Sequence, residues 1–198
     1  MRYQSDTALV VVDVQNDFAD PNGSLYVNGA EAAVARVVQE VDAADHAGTP
    51  IFYTADWHPP QTPHFDTAGG VWPVHCVADT WGAAFHPDLP IRGDVVTKGT
   101  DGGDGYSGFS VRDPESGEES ATELAGLLKQ HDIRHIVVVG IATDVCVNAT
   151  VADARRLGFD VTVLADATAA VELKQGDTQA ALDQMRQAGA IVEGEPAT

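Results

Sequence analysis

His135-Ile-Val-Val-Val-Gly140, Ile141-Ala-Thr143, Asp144-Val-Cys-Val-Asn-Ala-Thr-Val-Ala-Asp-Ala-Arg155 and Val161–Ala165 follow one another along the chain. The first and last stretches are short apolar runs of strand length, and the third has helical character, so the order is strand, turn, helix, strand. Such a unit joins two parallel strands. It also places a cysteine just past a strand end, because Thr143 or Asp144 can serve as N-cap and put Cys146 in the helix's first turn. Free N–H groups and the positive end of the helix dipole there would favour a thiolate. A buried structural cysteine is the plainer alternative.

The same alternation continues in both directions. Thr7–Val14 is apolar on both faces, as a strand covered on both sides must be. Ala30–Ala47 carries helical spacing through Val34, Val37, Val38 and Val41, stopped by Gly48-Thr-Pro50. Pro50–Thr54 and Asp94–Lys98 read as further strands. Ala121–Gln130 reads as a helix with Ser120 as N-cap and Glu123 completing a capping box. Thr178–Ala188 is the last helix and Ala190–Val192 a short final strand. The expected fold is a doubly wound α/β domain spanning 1–198, with a mostly parallel six-stranded sheet and helices on both faces. Asp56–Pro90 is too long and too rich in Pro, His and Trp to be an idle connection. Thr100–Glu119 is a Gly/Asp/Ser-rich loop in which Asp113-Pro-Glu-Ser-Gly117 forms a turn.

Composition narrows the function classes. A net charge of −19 argues against nucleic acid and anionic membrane as partners. No apolar run approaches the ~20 residues that span a bilayer, and the N-terminus shows no signal-peptide pattern. Cys76 and Cys146 are the only cysteines, which implies no disulfide framework and suits a reducing cytoplasm. Oligomeric state is left open, a homo-oligomer included.

In open α/β sheets ligands bind beyond the carboxyl ends of the strands. Asp13, Asp56, Lys98 and Cys146 all fall on that rim. Each alone has a plain explanation as a cap, turn or surface charge, but together they supply an acid/base, a cation and a nucleophile. Asp13 could take the thiol proton and return it to a leaving amine. Its charge would raise the cysteine pKa, so Lys98 is needed to offset it. Acyl transfer through a thioester follows. A second constellation, Asp56-Trp-His58, His64 and His75, offers three imidazoles and a carboxylate to one divalent ion such as Zn²⁺, Fe²⁺ or Mn²⁺. Scattered loop histidines are the alternative. Phe18, Trp72 and Tyr106 lie in loops after the rim residues, where rings often stack on ligands.

These residues resemble the isochorismatase-like cysteine hydrolases, and among them the nicotinamidase/pyrazinamidase group, over nearly the whole chain. Val11-Val-Asp-Val-Gln-Asn-Asp-Phe18 is similar to the motif that holds the family's catalytic aspartate, which implies that role for Asp13. Thr97-Lys-Gly99 and Gly140-Ile-Ala-Thr-Asp-Val-Cys146 match its lysine and nucleophile motifs, implying Lys98 and Cys146. Asp56-Trp-His58, His64 and Trp72-Pro-Val-His75 are similar to the nicotinamidase metal site. Tyr106-Ser-Gly-Phe109 resembles the loop whose aromatic closes over a pyridine ring, with Phe18 and Trp72 flanking that ring. The resemblance further implies a cis peptide at Ile141–Ala142 and an oxyanion hole made by the Ala142 and Cys146 amides. It departs at Val145, where several relatives carry His. The implied activity is deamidation of the small-molecule amide nicotinamide to nicotinate and ammonia, a step in NAD salvage. A relative acting on carbamoyl or ureido substrates would share Asp13, Lys98 and Cys146 but have no use for a ring-binding metal. A non-catalytic metal- or ligand-binding protein could also use this fold.

Overall fold

The computed structural model describes residues 3–196. Among them, strands β1 (Thr7–Val12), β2 (Ile51–Asp56), β3 (Asp94–Lys98), β6 (His135–Ile141), β7 (Asp160–Ala169) and β8 (Ile191–Glu193) form one sheet, in the order β3-β2-β1-β6-β7-β8. Every pairing in it is parallel. The remaining strands, β4 (Ser110–Arg112) and β5 (Glu119–Ala121), make a separate antiparallel hairpin. Its turn is the expected one: Asp113 Oδ1 accepts from the Glu115 and Ser116 amides.

Alternate residues of β1 feed two cores. Leu9 and Val11 pack with Val34, Val37 and Val41 of helix α2 (Ala30–His46), the second helix after the short α1 (Asn16–Ala19). Val10 and Val12 pack on the opposite face with Leu124 and Leu128 of α3 (Leu124–Gln130), Val151 of α4 (Asn148–Arg156) and Met185 of α5 (Asp177–Gln187). Each such side chain, fully buried, contributes roughly 1.5–3 kcal/mol. Helices on both faces and the strand order make this a doubly wound sheet. The winding reverses between β1 and β6, and a ligand crevice is expected at the carboxyl ends of those two strands. Gly140 lets them close up there: it has φ 116°, and a Cβ on it would lie 2.1 Å from the Val12 carbonyl oxygen.

Three local expectations are corrected. Cys146 does not sit in the first turn of an α-helix. Thr143–Val147 forms a wide π-type turn, in which the amides of Val145 (3.2 Å) and Val147 (3.0 Å) both donate to the Ala142 carbonyl, and α4 begins only at Asn148. Neither candidate cap serves this helix, because both side chains are engaged elsewhere. Thr143 bonds Thr168 Oγ1, and Asp144 accepts from the Val171 and Glu172 amides. The Ser120–Glu123 capping box is also absent. Pairing with β4 draws Ser120 into β5, and the Leu124 amide donates to Thr122 Oγ1 instead. Lastly, β1 ends at Val12 rather than Val14, since Asp13 turns the chain at φ 48°.

Candidate active site

Asp13, Lys98 and Cys146 converge at the reversal point. The Asp13 side chain is fully buried. Thr54 donates to its Oδ1 at 2.7 Å, and Lys98 Nζ lies 2.7 Å from its Oδ2. Lys98, also buried, further bonds Asp56 Oδ1 and the Gly105 carbonyl. A carboxylate oxygen of Asp13, one of Asp56 and the Cys146 sulfur lie within 4.8 Å of one another. The Lys98 ammonium lies against both carboxylates, so this group is an ion cluster beneath a thiol.

The electrostatics follow from that burial. Desolvation works against the Lys98 ammonium, but Asp13 and Asp56 outweigh it and hold its pKa well above the usual lysine value. Burial, reinforced by Asp56 and opposed by Lys98, raises the Asp13 carboxyl. Burial opposes ionisation of Asp56 too, yet Lys98, His58 and His75 prevail and hold it well below the usual range. The Cys146 thiol is pushed well up, first by burial and then by Asp13 and Asp56, while Lys98 pulls it down. Burial beside two carboxylates therefore works against the expected resting thiolate and favours the thiol, with the dipole of one wide turn opposing it. A thiol that keeps its proton beside a carboxyl of raised basicity is arranged for transfer at the moment of attack.

The imidazoles assemble next to this cluster. One ring nitrogen each of His58, His64 and His75 lies within 4.8 Å of the others, and all three residues are buried. Asp56 Oδ2 is 3.8 Å from His58 Nε2 and 3.7 Å from His75 Nε2. Two of the rings are locked from behind. His64 Nδ1 is 2.6 Å from Asp104 Oδ1, and His75 Nδ1 is 2.7 Å from the Pro73 carbonyl. A carboxylate and a carbonyl only accept, so both Nδ1 atoms carry hydrogen and the Nε2 edge of each ring is turned toward the cluster. Burial, helped by His58 and His75, keeps His64 below its usual pKa against the pull of Asp104. Among the described residues neither ring nitrogen of His58 has a hydrogen-bond partner. An orphaned buried imidazole facing two locked imidazoles and a carboxylate fits a divalent cation, and the donor set suits Zn²⁺, Fe²⁺ or Mn²⁺.

Both clusters open onto one cleft. Cys146, Asp56, His64 and His75 stand on its wall, together with Phe18, Trp72, Tyr106 and Ala142. Asp13, Lys98 and His58 lie behind that surface. Trp72 Nε1 donates to the Tyr106 hydroxyl at 3.0 Å, closing the rim, and the Phe18 ring centroid is 5.4 Å from that of His75. Leu25, Val27, Val145 and Val171 make the remainder of the wall largely apolar. The Ile141–Ala142 peptide is cis. All the residues singled out from the sequence thus meet in one place.

Four supporting residues were not singled out. Gln15 clamps the Asp56 backbone, donating to its carbonyl at 2.7 Å and accepting from its amide at 2.8 Å. Asp17 accepts from the Cys76 amide at 2.7 Å, next to His75. Both lie in the 11–18 motif, two and four residues after Asp13, and that proximity was the available signal. Thr54 and Asp104 had none, since a strand threonine and one acid in a Gly-rich loop are ordinary. Cys76 is fully buried in the core beside α2, a packing position.

An isochorismatase domain model matches residues 7–195. The chain is 42% identical to the nicotinamidase/pyrazinamidase of Mycobacterium tuberculosis, over 91% of this chain and 95% of that one. It superposes on the pyrazinamidase of Pyrococcus horikoshii in complex with zinc with a TM-score of 0.84, at 35% identity, covering 95% and 98% of the two chains. A protein from L. infantum in complex with nicotinate gives a TM-score of 0.86, at 35% identity and with 98% and 95% covered. With the buried Asp–Lys–Cys cluster and the adjoining imidazoles in place, the chain belongs to the isochorismatase family, within its nicotinamidase/pyrazinamidase group.

Proposed function

We propose that this protein is a nicotinamidase, converting nicotinamide and water to nicotinate and ammonia. The observation that carries the reading is the shared cleft: the thiol of Cys146 and the imidazoles of His64 and His75 line one small, mostly apolar pocket. A flat heteroaromatic amide can set its carboxamide on the sulfur while its ring nitrogen points at the imidazole cluster. A metal-free hydrolase of carbamoyl or ureido compounds would have no use for His58, whose buried nitrogens lack partners.

In this reading Asp13 accepts the Cys146 proton as the sulfur bonds the amide carbon. The Ala142 and Cys146 amides receive the developing oxyanion, an interaction worth roughly 3–4 kcal/mol per donor in other enzymes. The C–N bond breaks as Asp13 returns the proton to the departing ammonia, leaving a thioester. Asp13 then removes a proton from water, whose oxygen attacks the thioester carbon, and the proton passes back to the released sulfur. Lys98 holds Asp13 in place and offsets its charge. Phe18, Trp72 and Tyr106 enclose the ring. Asp56, His58, His64 and His75 would hold one divalent metal ion, zinc, iron or manganese, which when bound supplies a Lewis acid for the ring nitrogen. Pyrazinamide keeps a ring nitrogen meta to its carboxamide and is the expected second substrate. The free thiols of Cys76 and Cys146 suit work in the cytoplasm, and the 1–198 chain acts as one domain. Among the described residues no helix is long and apolar enough to cross a membrane.

The test is ammonia release by the purified protein from nicotinamide, run beside N-carbamoyl substrates and the Cys146→Ala variant. Release from nicotinamide that disappears in the variant supports the reaction and its nucleophile. Turnover of a carbamoyl compound alone would replace this substrate, and silence on all of them would favour a binding protein.

A further inference from the structure

The Gly/Asp-rich segment 99–105 carries a residue that neither the Asp–Lys–Cys cluster nor the ligand set includes. This segment touches both. Its Gly105 carbonyl accepts from Lys98 Nζ, and its Gly102 carbonyl accepts from Thr62 Oγ1, two residues before His64. Asp104 is pinned between them by its backbone, its amide donating to the Arg112 carbonyl at 2.7 Å and its carbonyl accepting from the Arg112 amide at 3.0 Å. Its side chain is thereby aimed at His64, with Oδ1 2.6 Å from Nδ1. The contact is partly sheltered, His64 being 4% and Asp104 21% exposed at the side chain.

We propose that Asp104 is a positioning residue for the metal centre, fixing the tautomer and ring plane of His64 and strengthening its Nε2 as a ligand by placing a negative charge behind the ring. The proposal rests on the reading of His58, His64, His75 and Asp56 as a metal site. His75 is held by a neutral carbonyl and His58 by nothing comparable. Among the described residues, therefore, His64 is the imidazole of the three with a carboxylate bonded to the ring nitrogen opposite the cluster. Carboxylates in this position behind metal-bound imidazoles orient the ring and raise its basicity.

The experiment strips the full-length protein and the Asp104→Ala and Asp104→Asn variants of metal, then titrates each with Zn²⁺ against a chromophoric chelator. Co²⁺ is added to parallel samples for its d–d spectrum. The expected loss of affinity for Asp104→Ala is about 10–100-fold. Asp104→Asn keeps an oxygen for the Nδ1 hydrogen without the charge, and should fall between the two. Saturating metal should restore most of kcat in both variants, which a collapse of the Lys98 cluster would not allow. Parent-like affinity together with a parent-like Co²⁺ spectrum in Asp104→Ala overturns the proposal while leaving the metal site standing. A parent protein that takes up neither ion overturns both. If Asp104→Ala does not fold, Asp104→Ser, too short to reach Nδ1, decides in its place by the same criterion.

Discussion

Asp56 and Lys98 are register partners on neighbouring parallel strands, and the ammonium bonds Asp56 through Oδ1 while Oδ2 faces His58 and His75. One carboxylate therefore belongs to two clusters. Through Lys98 it is joined to Asp13 and the thiol, and through Oδ2 to the imidazoles. Strand pairing sets this geometry, because adjacent parallel strands bring register partners within about 5 Å, and Gln15 holds the Asp56 backbone from the connection between β1 and α1. Binding at one cluster should consequently be felt at the other.

Lys98→Met tests that joint. The substitution leaves two buried carboxylates close together without their cation. Breaking one partner of a buried ion cluster typically costs about 3–5 kcal/mol. Without the ammonium both carboxyls should have raised pKa values in the folded state. Such groups lose stability as pH rises from their unfolded to their folded values. The gap in urea midpoint between parent and variant should thus widen from pH 5 to pH 8. A gap that stayed constant with pH would mean the carboxylates are not facing each other unscreened.

Asp13→Asn should move two readouts in opposite directions. Removing the group that takes the proton should lower turnover by about 10²–10⁴-fold. The same change removes a negative charge that raises the Cys146 pKa, since Asp13 is among the causes pushing that thiol up. Alkylation of Cys146 by iodoacetamide at pH 7 should therefore become faster in the variant that turns over more slowly. In the parent, alkylation should still be climbing at pH 9, because burial keeps the thiol protonated through the neutral range. A plateau below pH 7 would show a resting thiolate and reverse the proton assignment.

How much of this was readable beforehand differs between fold and site. Strands such as Thr7–Val12 announce themselves because burial on both faces demands a continuous apolar run, and the rim position of Asp13, Lys98 and Cys146 follows from strand ends. What surrounds Cys146 was not readable. Whether Asp144 caps its own helix or the turn at Val171 depends on a contact 27 residues away, and local pattern carries no trace of it. Ser120 was lost to a hairpin partner for the same reason. The thiol's ionisation is not legible locally, because a dipole is visible in one segment whereas desolvation is a property of everything packed around the sulfur. Gln15, Thr54 and Asp104 act across separations of roughly forty residues, and such pairs appear only once the sheet is assembled.

His58→Ala carries the sharpest consequence for the imidazole cluster. His58 is fully buried, its two ring nitrogens have no partner among the described residues, and its ring stacks on that of His64 at a centroid distance of 4.7 Å. Burying an imidazole in this state is unfavourable unless an ion completes it. The metal-free variant should therefore match or exceed the metal-free parent in thermal stability, even though a cavity is created. The loaded parent should gain stability from metal in proportion to the logarithm of its concentration above Kd, and the variant should gain little. Metal content measured by inductively coupled plasma spectrometry should fall in His58→Ala and be retained in Cys146→Ala, whose sulfur lies in the other cluster. Undiminished metal in His58→Ala would remove His58 from the ligand set, and its buried nitrogens would then stand as an uncompensated cost of folding.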